Sequence, residues 1–232
     1  MKINEKLATL DYTNQTVIDL LKEREHYGLS LEPENDLFFT DFDSELDVIQ
    51  YGKFDNKGRI LGASVVLTHL PKSNESGRRV TKAKPPGFNY NSIVSRGEHF
   101  YHRTHLIAYM LMGKRAIYGE FFTGARVLNT SNGLTETLSM IHFESRVRDA
   151  LASGVPLKIF YKVTPIYRDE DIVPRGIRMT AKSYTPDNTD TDDYNFDVYL
   201  FNVYPGYNIH YDTGKWEKIN ENRRQKRYSC RP

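Results

Sequence analysis

The chain has 232 residues, 39% of them hydrophobic and 27% charged, and these proportions are those of a globular protein. A chain of this length can bury about 70% of its unfolded surface. Its one cysteine, Cys230, excludes an intrachain disulfide and a cysteine-based zinc site, and no apolar run approaches the roughly 18 residues that span a membrane. The net charge is only +2, but residues 1–50 carry −8 (4 bases and 12 acids), which leaves +10 on the other 182 residues.

Hydrophobic periodicity predicts a mixture of helices and strands. In chain order these are a helix over 14–26, strands over 46–51 and 59–68, a short helix over 106–113, a helix over 138–152, and strands over 155–164, 175–184 and 196–204. The first two strands are joined by FDNKG, whose Asn and Gly are typical of a hairpin turn. Long successive strands with few helices predict an α+β fold, built on a mostly antiparallel central sheet in one domain over residues 1–232.

Three segments stand out by their charge or composition. Residues 1–45 form an acidic N-terminal segment, residues 217–232 form a basic tail, and residues 69–98 are rich in Pro, Gly, Ser and Asn, which predicts a long functional loop. Residues 72–106 hold seven bases against two acids, a net charge of +5. Such a field attracts a polyanion, so nucleic acid is the expected partner, although an ordinary solvated face is the alternative. No obligate protein partner is evident.

Histidines recur at a spacing of three in GEHFYHRTHLIAYM, residues 97–110, at positions 99, 102 and 105. This spacing alternates faces on a strand and drifts around a helix, so a three-histidine zinc site is geometrically awkward and lacks an obvious fourth ligand. We therefore expect one histidine to work and the others to lie at the surface. His105 is the candidate, because it lies between a basic loop and a predicted buried helix.

The helix predicted over 138–152 carries a carboxylate in its apolar face. Glu144 shares that face with Met140, Val147 and Leu151, and a buried carboxylate is costly unless it is paired. Two interpretations remain open. Glu144 forms an ordinary helical ion pair with Arg148, four residues further on, or it orients a metal-bound water while Arg148 faces a phosphate.

The stretch HRTHLIAYMLMG, residues 102–113, resembles the Asp-Arg-Gly-His-Leu signature of the DNA/RNA non-specific endonucleases, which are ββα-metal (His-Me finger) nucleases. Three further stretches follow in the order of the branch that contains the secreted streptococcal DNases and the competence-type nuclease. They are YGKFDNKGRILGASVVL, TGARVLN followed by HFESRVRDAL, and YKVTPIYRDEDIVPRGIRMTA. The resemblance spans residues 47–216 and implies a ββα-metal catalytic motif over 99–152.

The resemblance implies a role for five residues. His105 matches the family's general base, and Arg103 matches its neighbouring arginine. Asn129 matches the asparagine that is the family's one protein ligand to magnesium. Glu144 matches the helical glutamate of the metal's water shell, and Arg148 matches the arginine that steadies charge on the phosphate.

Other residues receive weaker assignments. Glu120 matches only loosely a second polar residue that some family members place near the metal. Four arginines are expected to bind substrate phosphates: Arg78, Arg79, Arg126 and Arg146. The resemblance implies Mg²⁺ as the cofactor, with Mn²⁺ able to substitute. A single asparagine ligand suits Mg²⁺, because this ion keeps several waters and needs few protein oxygens.

The sequence departs from the family signature at two positions, with His102 where the family has Asp and Thr104 where it has Gly. The expected function is nevertheless a magnesium-dependent, sequence-non-specific endonuclease that hydrolyses DNA, with RNA as a further substrate, and that acts outside the cell. An ordinary imidazole, with a pKa of about 6.5, can accept a proton from water near pH 7. The alternatives are a non-catalytic nucleic-acid-binding module that uses residues 72–106, and a zinc hydrolase that uses the three histidines.

Overall fold

The structure is a computed structural model, and it describes residue 8 and residues 28–30, 45–72, 84–95, 97–113, 121–130 and 139–219. Several predictions lie outside these residues: the helix over 14–26, most of the acidic N-terminal segment, residues 73–83 of the predicted loop, and the basic tail beyond residue 219. No helix within the described ranges is long and apolar enough to cross a membrane.

The described part of the chain is rich in strands, with three short helices between them. The strands are β1 (Gly28–Ser30), β2 (Gln50–Tyr51), β3 (Ala63–Leu67), β4 (Ile93–Ser95), β5 (Glu98–His99), β6 (Tyr101–His105), β7 (Phe121–Ala125), β8 (Lys158–Ile166), β9 (Gly176–Tyr184), β10 (Phe196–Phe201), β11 (Tyr207–Ile209) and β12 (Trp216–Lys218). The α-helices are α1 (Tyr109–Met112), α2 (Arg126–Asn129) and α3 (Met140–Ala152), and a 3₁₀ turn covers Phe88–Tyr90.

A six-stranded antiparallel sheet forms the centre of the fold, in the order β1, β10, β9, β8, β3, β2. β8 and β9 pair along nine residues each, from Lys158 opposite Tyr184 to Ile166 opposite Gly176. These two strands and β10 confirm the three strands predicted in the C-terminal half. The predicted fold class, α+β on a mostly antiparallel sheet, is confirmed as well.

The N-terminal half differs from its prediction at both of its strands and in the loop after them. β2 covers only Gln50–Tyr51 of the strand predicted over 46–51. β3 begins at Ala63 and not at residue 59, because Gly62 adopts a φ of 144° that ends regular strand geometry on its N-terminal side. The predicted loop over 69–98 is wrong at its C-terminal end, where β4 and β5 form a two-stranded ladder. Pro, Gly and Asn dominate the composition there, and their turn propensities masked two very short strands.

β6, β7 and the two helices after them form the ββα arrangement that the resemblance implies. β6 and β7 pair in full register, from Tyr101 opposite Ala125 to His105 opposite Phe121. α2 follows β7 without a gap, and α3 confirms the helix predicted over 138–152. The helix predicted over 106–113 is shorter than expected and covers only four residues.

The main hydrophobic core lies between α3 and one face of the central sheet. Met140, Phe143, Val147 and Ala150 are buried on α3, against sheet residues such as Met179. These apolar residues lie at helical spacing on the buried face of α3, which is the face that also carries Glu144. The helix therefore brings one carboxylate into an otherwise apolar interface.

A second core lies under β6 and contains the chain's single tryptophan. The Trp216 ring stacks on Phe100, the residue before β6, with ring centroids 4.4 Å apart and planes 3° from parallel. The Trp216 indole N–H donates to the backbone oxygen of Tyr90 at 2.8 Å. These contacts pack the strand that carries the histidines against the β11–β12 hairpin.

One fully buried asparagine, Asn202, joins the β6–β7 hairpin to the central sheet. Its Oδ1 accepts a hydrogen bond from the backbone N–H of Ala125 at 2.7 Å. Its Nδ2 donates to the backbone oxygens of Thr123 at 3.1 Å and Pro174 at 2.9 Å. The end of β7, and with it the start of α2, is thus held to the loop after β10.

Candidate active site

His105 and Glu144 meet where β6 faces α3. The Nε2 atom of His105 lies 2.9 Å from Oε1 of Glu144, although the two residues are 39 positions apart in the chain. The Glu144 side chain is 2% exposed, whereas the His105 ring is 30% exposed. One side of the imidazole therefore faces a buried carboxylate, and part of the ring reaches the surface.

Asn129 ends α2 and carries a buried oxygen that lacks a partner. Its Nδ2 lies 3.1 Å from Nδ1 of His102, but its Oδ1 is buried without a hydrogen-bond partner among the described residues. Leaving a buried polar atom unpaired costs about 1–3 kcal/mol, so such an atom calls for an explanation. A hard cation bound to Oδ1 would explain it, because Mg²⁺ binds amide and carboxylate oxygens.

The donor set fits a cation that keeps most of its water. No group of three His, Cys, Asp or Glu residues that could hold a metal occurs in the described part of the chain, which includes all three clustered histidines. This absence is unfavourable for a zinc cage and compatible with a single amide oxygen that binds Mg²⁺. The residues present therefore fit magnesium better than zinc.

Two further buried hydroxyls lack partners among the described residues, those of Ser139 and Tyr161. Ser139 precedes the first turn of α3, and Tyr161 lies on β8 beneath that helix. Burial raises the pKa of the Tyr161 hydroxyl, and the nearby Glu144 charge raises it further. Tyr161 is therefore a neutral phenol in the surroundings of the Glu144 carboxylate.

The predicted arginines that the structure describes lie in different environments. Arg148 is 44% exposed on α3 and pairs with the adjacent Asp149, through Nη2 at 2.7 Å. Arg126, at the start of α2, pairs with Glu98. Arg146 is exposed on α3 with its guanidinium 5.1 Å from the Phe196 ring centroid.

Arg103 is half-buried on β6, two residues before His105, and the period of a strand puts both on the same face. Arg78, Arg79 and Glu120 lie outside the described residues. The structure thus brings His105 and Glu144 together directly, and Asn129 and His102 together directly.

One of the two open interpretations of Glu144 is wrong, and so is the expectation that His102 lies at the surface. Glu144 does not form the helical ion pair with Arg148, since its partner is His105 and the partner of Arg148 is Asp149. His99 is exposed, as expected, whereas His102 is half-buried and contacts Asn129. Local spacing could not reveal either contact, because both partners come from distant parts of the chain.

The departure at Thr104 is accommodated by a glycine on the neighbouring strand. Thr104 is fully buried, and a Cβ atom added at Gly124 would lie 2.3 Å from its Oγ1 and 3.0 Å from its Cβ. The absence of a side chain at Gly124 therefore leaves the space that Thr104 fills. The hairpin keeps its full register despite a larger residue at this position.

A β-hairpin with a histidine on its first strand, followed by an asparagine and a buried glutamate on helices against an antiparallel sheet, defines a ββα-metal nuclease. The sequence model of the DNA/RNA non-specific endonucleases matches residues 42–185, which is more than half of the chain. The chain belongs to this family, and it is a hydrolase that acts on nucleic acids.

Solved structures agree with this assignment. NucA from Streptococcus agalactiae, in a crystal structure with a magnesium ion bound, is 26% identical, with a TM-score of 0.60 over 75% of this chain and 82% of that chain. The Sda1 nuclease with bound zinc is 19% identical, with a TM-score of 0.65 over 86% and 99% of the two chains. An extracellular endonuclease is 20% identical, with a TM-score of 0.56 over 82% and 96%. The last two similarities concern the fold. A search of the curated proteins finds no match.

Proposed function

We propose that the protein is a magnesium-dependent, sequence-non-specific endonuclease that hydrolyses the phosphodiester bonds of DNA, and of RNA as a further substrate. The observation that carries this proposal is the buried Oδ1 of Asn129, which has no partner among the described residues, together with the contact between His105 and Glu144. The magnesium in the NucA structure supports the choice of cation. Mn²⁺, which prefers similar oxygen ligands, is expected to substitute.

The hydrogen bond to Glu144 assigns the basic atom of His105. A carboxylate can only accept a hydrogen bond, so Nε2 of His105 carries the proton and donates a hydrogen bond to Oε1 of Glu144. In a neutral ring the lone pair is then on Nδ1. We propose that Nδ1 takes a proton from the attacking water while the water oxygen bonds to phosphorus and the bond to the leaving oxygen breaks.

Glu144 stabilises the positive charge that forms on His105. The carboxylate is buried and lies on the opposite side of the ring from Nδ1, so it favours the imidazolium and fixes the ring orientation. This is the arrangement of a base held by an acidic partner, and it does not require Glu144 to become protonated.

Mg²⁺, when held by Asn129 Oδ1 with Glu144 toward its water shell, supplies charge neutralisation at the phosphate and the leaving oxygen. Glu120 keeps its weaker assignment near the metal. Fixed positive charge comes from Arg148 and Arg103 near the base, and from arginines that bind flanking phosphates: Arg126, Arg146, Arg78 and Arg79. Because phosphates carry no sequence information, such contacts favour cleavage without sequence preference.

The remaining assignments concern the protein as a whole. We propose that residues 1–232 form a single nuclease domain, with an acidic segment over 1–45, the catalytic motif over 99–152 and a basic tail over 217–232. The extracellular nucleases among its structural neighbours support export from the cell. No obligate protein partner is proposed.

The substitution His105→Ala tests the assigned base. Because general-base catalysis contributes roughly 10²- to 10⁴-fold, we expect cleavage of supercoiled plasmid in Mg²⁺ to fall by that factor, while DNA binding in EDTA is retained. The control is His99→Ala, an exposed histidine on β5 that should cleave at the wild-type rate. Wild-type protein should lose cleavage on addition of EDTA. Activity of His105→Ala within tenfold of wild type would contradict the assignment.

A further inference from the structure

We propose that His102 is a positioning residue that fixes the side-chain amide of Asn129 with its oxygen directed to the metal. The inference rests on the proposed function, since it takes Asn129 as the metal ligand. It is carried by two separate observations, the 3.1 Å contact between Asn129 Nδ2 and His102 Nδ1, and the unpaired Oδ1 on the other arm of the same amide.

The chemistry of the two groups determines the direction of the hydrogen bond. An amide nitrogen has two N–H donors and no acceptor capacity, so His102 Nδ1 must be the acceptor and its ring proton must be on Nε2. Rotating the amide by 180° would place Oδ1 against the Nδ1 lone pair, and two acceptors repel. The Nε2–H tautomer of His102 therefore selects the amide orientation that leaves Oδ1 for the cation.

The geometry of β6 separates the tasks of its two working histidines. His102 and His105 lie three residues apart on β6, and their side chains contact different helices. His102 meets the end of α2 and His105 meets α3. One histidine is thus assigned to the metal ligand and the other to the attacking water, without competition for the same partner.

The replacement of aspartate by His102 preserves a hydrogen-bond acceptor and removes a charge. An aspartate at this position could also accept the Asn129 N–H, because a carboxylate is a pure acceptor. Position 102 therefore requires a hydrogen-bond acceptor, and it does not require the negative charge of an aspartate. This interpretation explains how the chain can have His102 where the family signature has Asp.

A series of substitutions at position 102 tests the requirement. His102→Leu removes the acceptor, His102→Asn offers an amide oxygen in its place, and His102→Asp restores the carboxylate of the family signature. The readout is Mn²⁺ binding to nucleic-acid-free protein, measured from the electron paramagnetic resonance signal of free Mn²⁺. His99→Leu is the matched control, because His99 is exposed on β5.

We expect His102→Leu to weaken Mn²⁺ binding roughly 10- to 100-fold, as loss of a residue that orients a metal ligand usually does. His102→Asn should bind within about threefold of wild type, His102→Asp should bind as tightly or more tightly, and His99→Leu should be unchanged. Melting temperatures in EDTA separate these effects from unfolding. If His102→Leu does not fold, the contrast between His102→Asn and an equally folded His102→Lys, which has only donors, takes its place.

A second readout uses the wild-type protein without metal. Nitrogen-15 spectra at pH 8, where an ordinary imidazole is neutral, should show His102 as the Nε2–H tautomer with an unprotonated Nδ1. The Nδ1–H tautomer would overturn the proposal. So would unchanged Mn²⁺ binding in His102→Leu when Asn129→Ala has lost it, and in that case the proposed function stands. If Asn129→Ala also binds normally, the proposed metal site fails together with this inference.

Discussion

Two side-chain amides near the end of β7, one fully buried and one half-buried, behave in opposite ways. Asn202 has every polar atom bonded to the backbone, with Oδ1 on Ala125 and Nδ2 on Thr123 and Pro174. Asn129 has one donor bonded to His102 and an oxygen with no partner among the described residues. The first amide stabilises the fold, and the second is the one proposed above to bind a metal ion. A complete set of hydrogen bonds marks a structural asparagine, and an incomplete one marks a functional candidate.

The largest effect on stability is expected from Asn202→Ala. It removes three hydrogen bonds and leaves buried backbone groups unpaired, so the free energy of unfolding should fall by about 3 kcal/mol or more. Urea denaturation followed by circular dichroism measures the loss. The matched control is the same substitution at Asn129. A loss of less than about 1 kcal/mol in the free energy of unfolding would contradict the structural role of Asn202, because its buried hydrogen bonds would then contribute no more than an exposed contact.

A smaller loss is expected from Gly124→Ala, which tests how β7 is packed against β6. The added Cβ would lie 2.3 Å from Thr104 Oγ1, so the hairpin must shift, and overpacking of this kind costs about 1–3 kcal/mol. The double variant Thr104→Gly, Gly124→Ala removes the collision and restores the glycine of the family signature. It should recover most of the loss in thermal denaturation. A Gly124→Ala protein as stable as wild type would show that Thr104 does not need the space.

The smallest effect on stability is expected from Asn129→Leu. The substitution removes one hydrogen bond, to His102, and an oxygen that has no partner among the described residues. A single hydrogen bond contributes about 1 kcal/mol, so the free energy of unfolding should fall by about that amount or less. Plasmid cleavage should nevertheless be lost, since the proposed metal ligand is gone. Denaturation and cleavage assays on one preparation would separate the two quantities. A large destabilisation with normal cleavage would reverse the roles of the two asparagines.

The long elements of this fold could be predicted because their signals are local. β8, β9 and β10 are runs of β-branched and aromatic residues, and α3 has apolar residues at helical spacing. β6 has no such signal, since His102, Arg103 and His105 do not alternate with apolar residues. Pairing with β7 along its full length makes it a strand, and that pairing joins segments about 20 residues apart.

His105 and Glu144 could be singled out from local pattern, and Asn129 only from the resemblance, but the contacts of these residues could not be predicted at all. The local interpretation paired Glu144 with Arg148, four residues away on the same helix, but tertiary packing brings His105 to the carboxylate. His102 was expected at the surface, and its contact with Asn129 depends on where α2 begins after β7. The hydrogen bonds of Asn202 were equally invisible, because a single asparagine after a strand is typical of a surface turn.

The stacking of Trp216 on Phe100 gives the protein a built-in optical reporter. It is the only tryptophan in the chain, and Phe100 is joined directly to the strand that carries His102 and His105. If the β6–β7 hairpin separates from the β11–β12 hairpin, the indole loses its stacking partner and enters water, so its emission shifts to the red. Intrinsic fluorescence therefore follows the docking of the catalytic hairpin, whereas circular dichroism follows the central sheet, and the two signals can be compared without any added label.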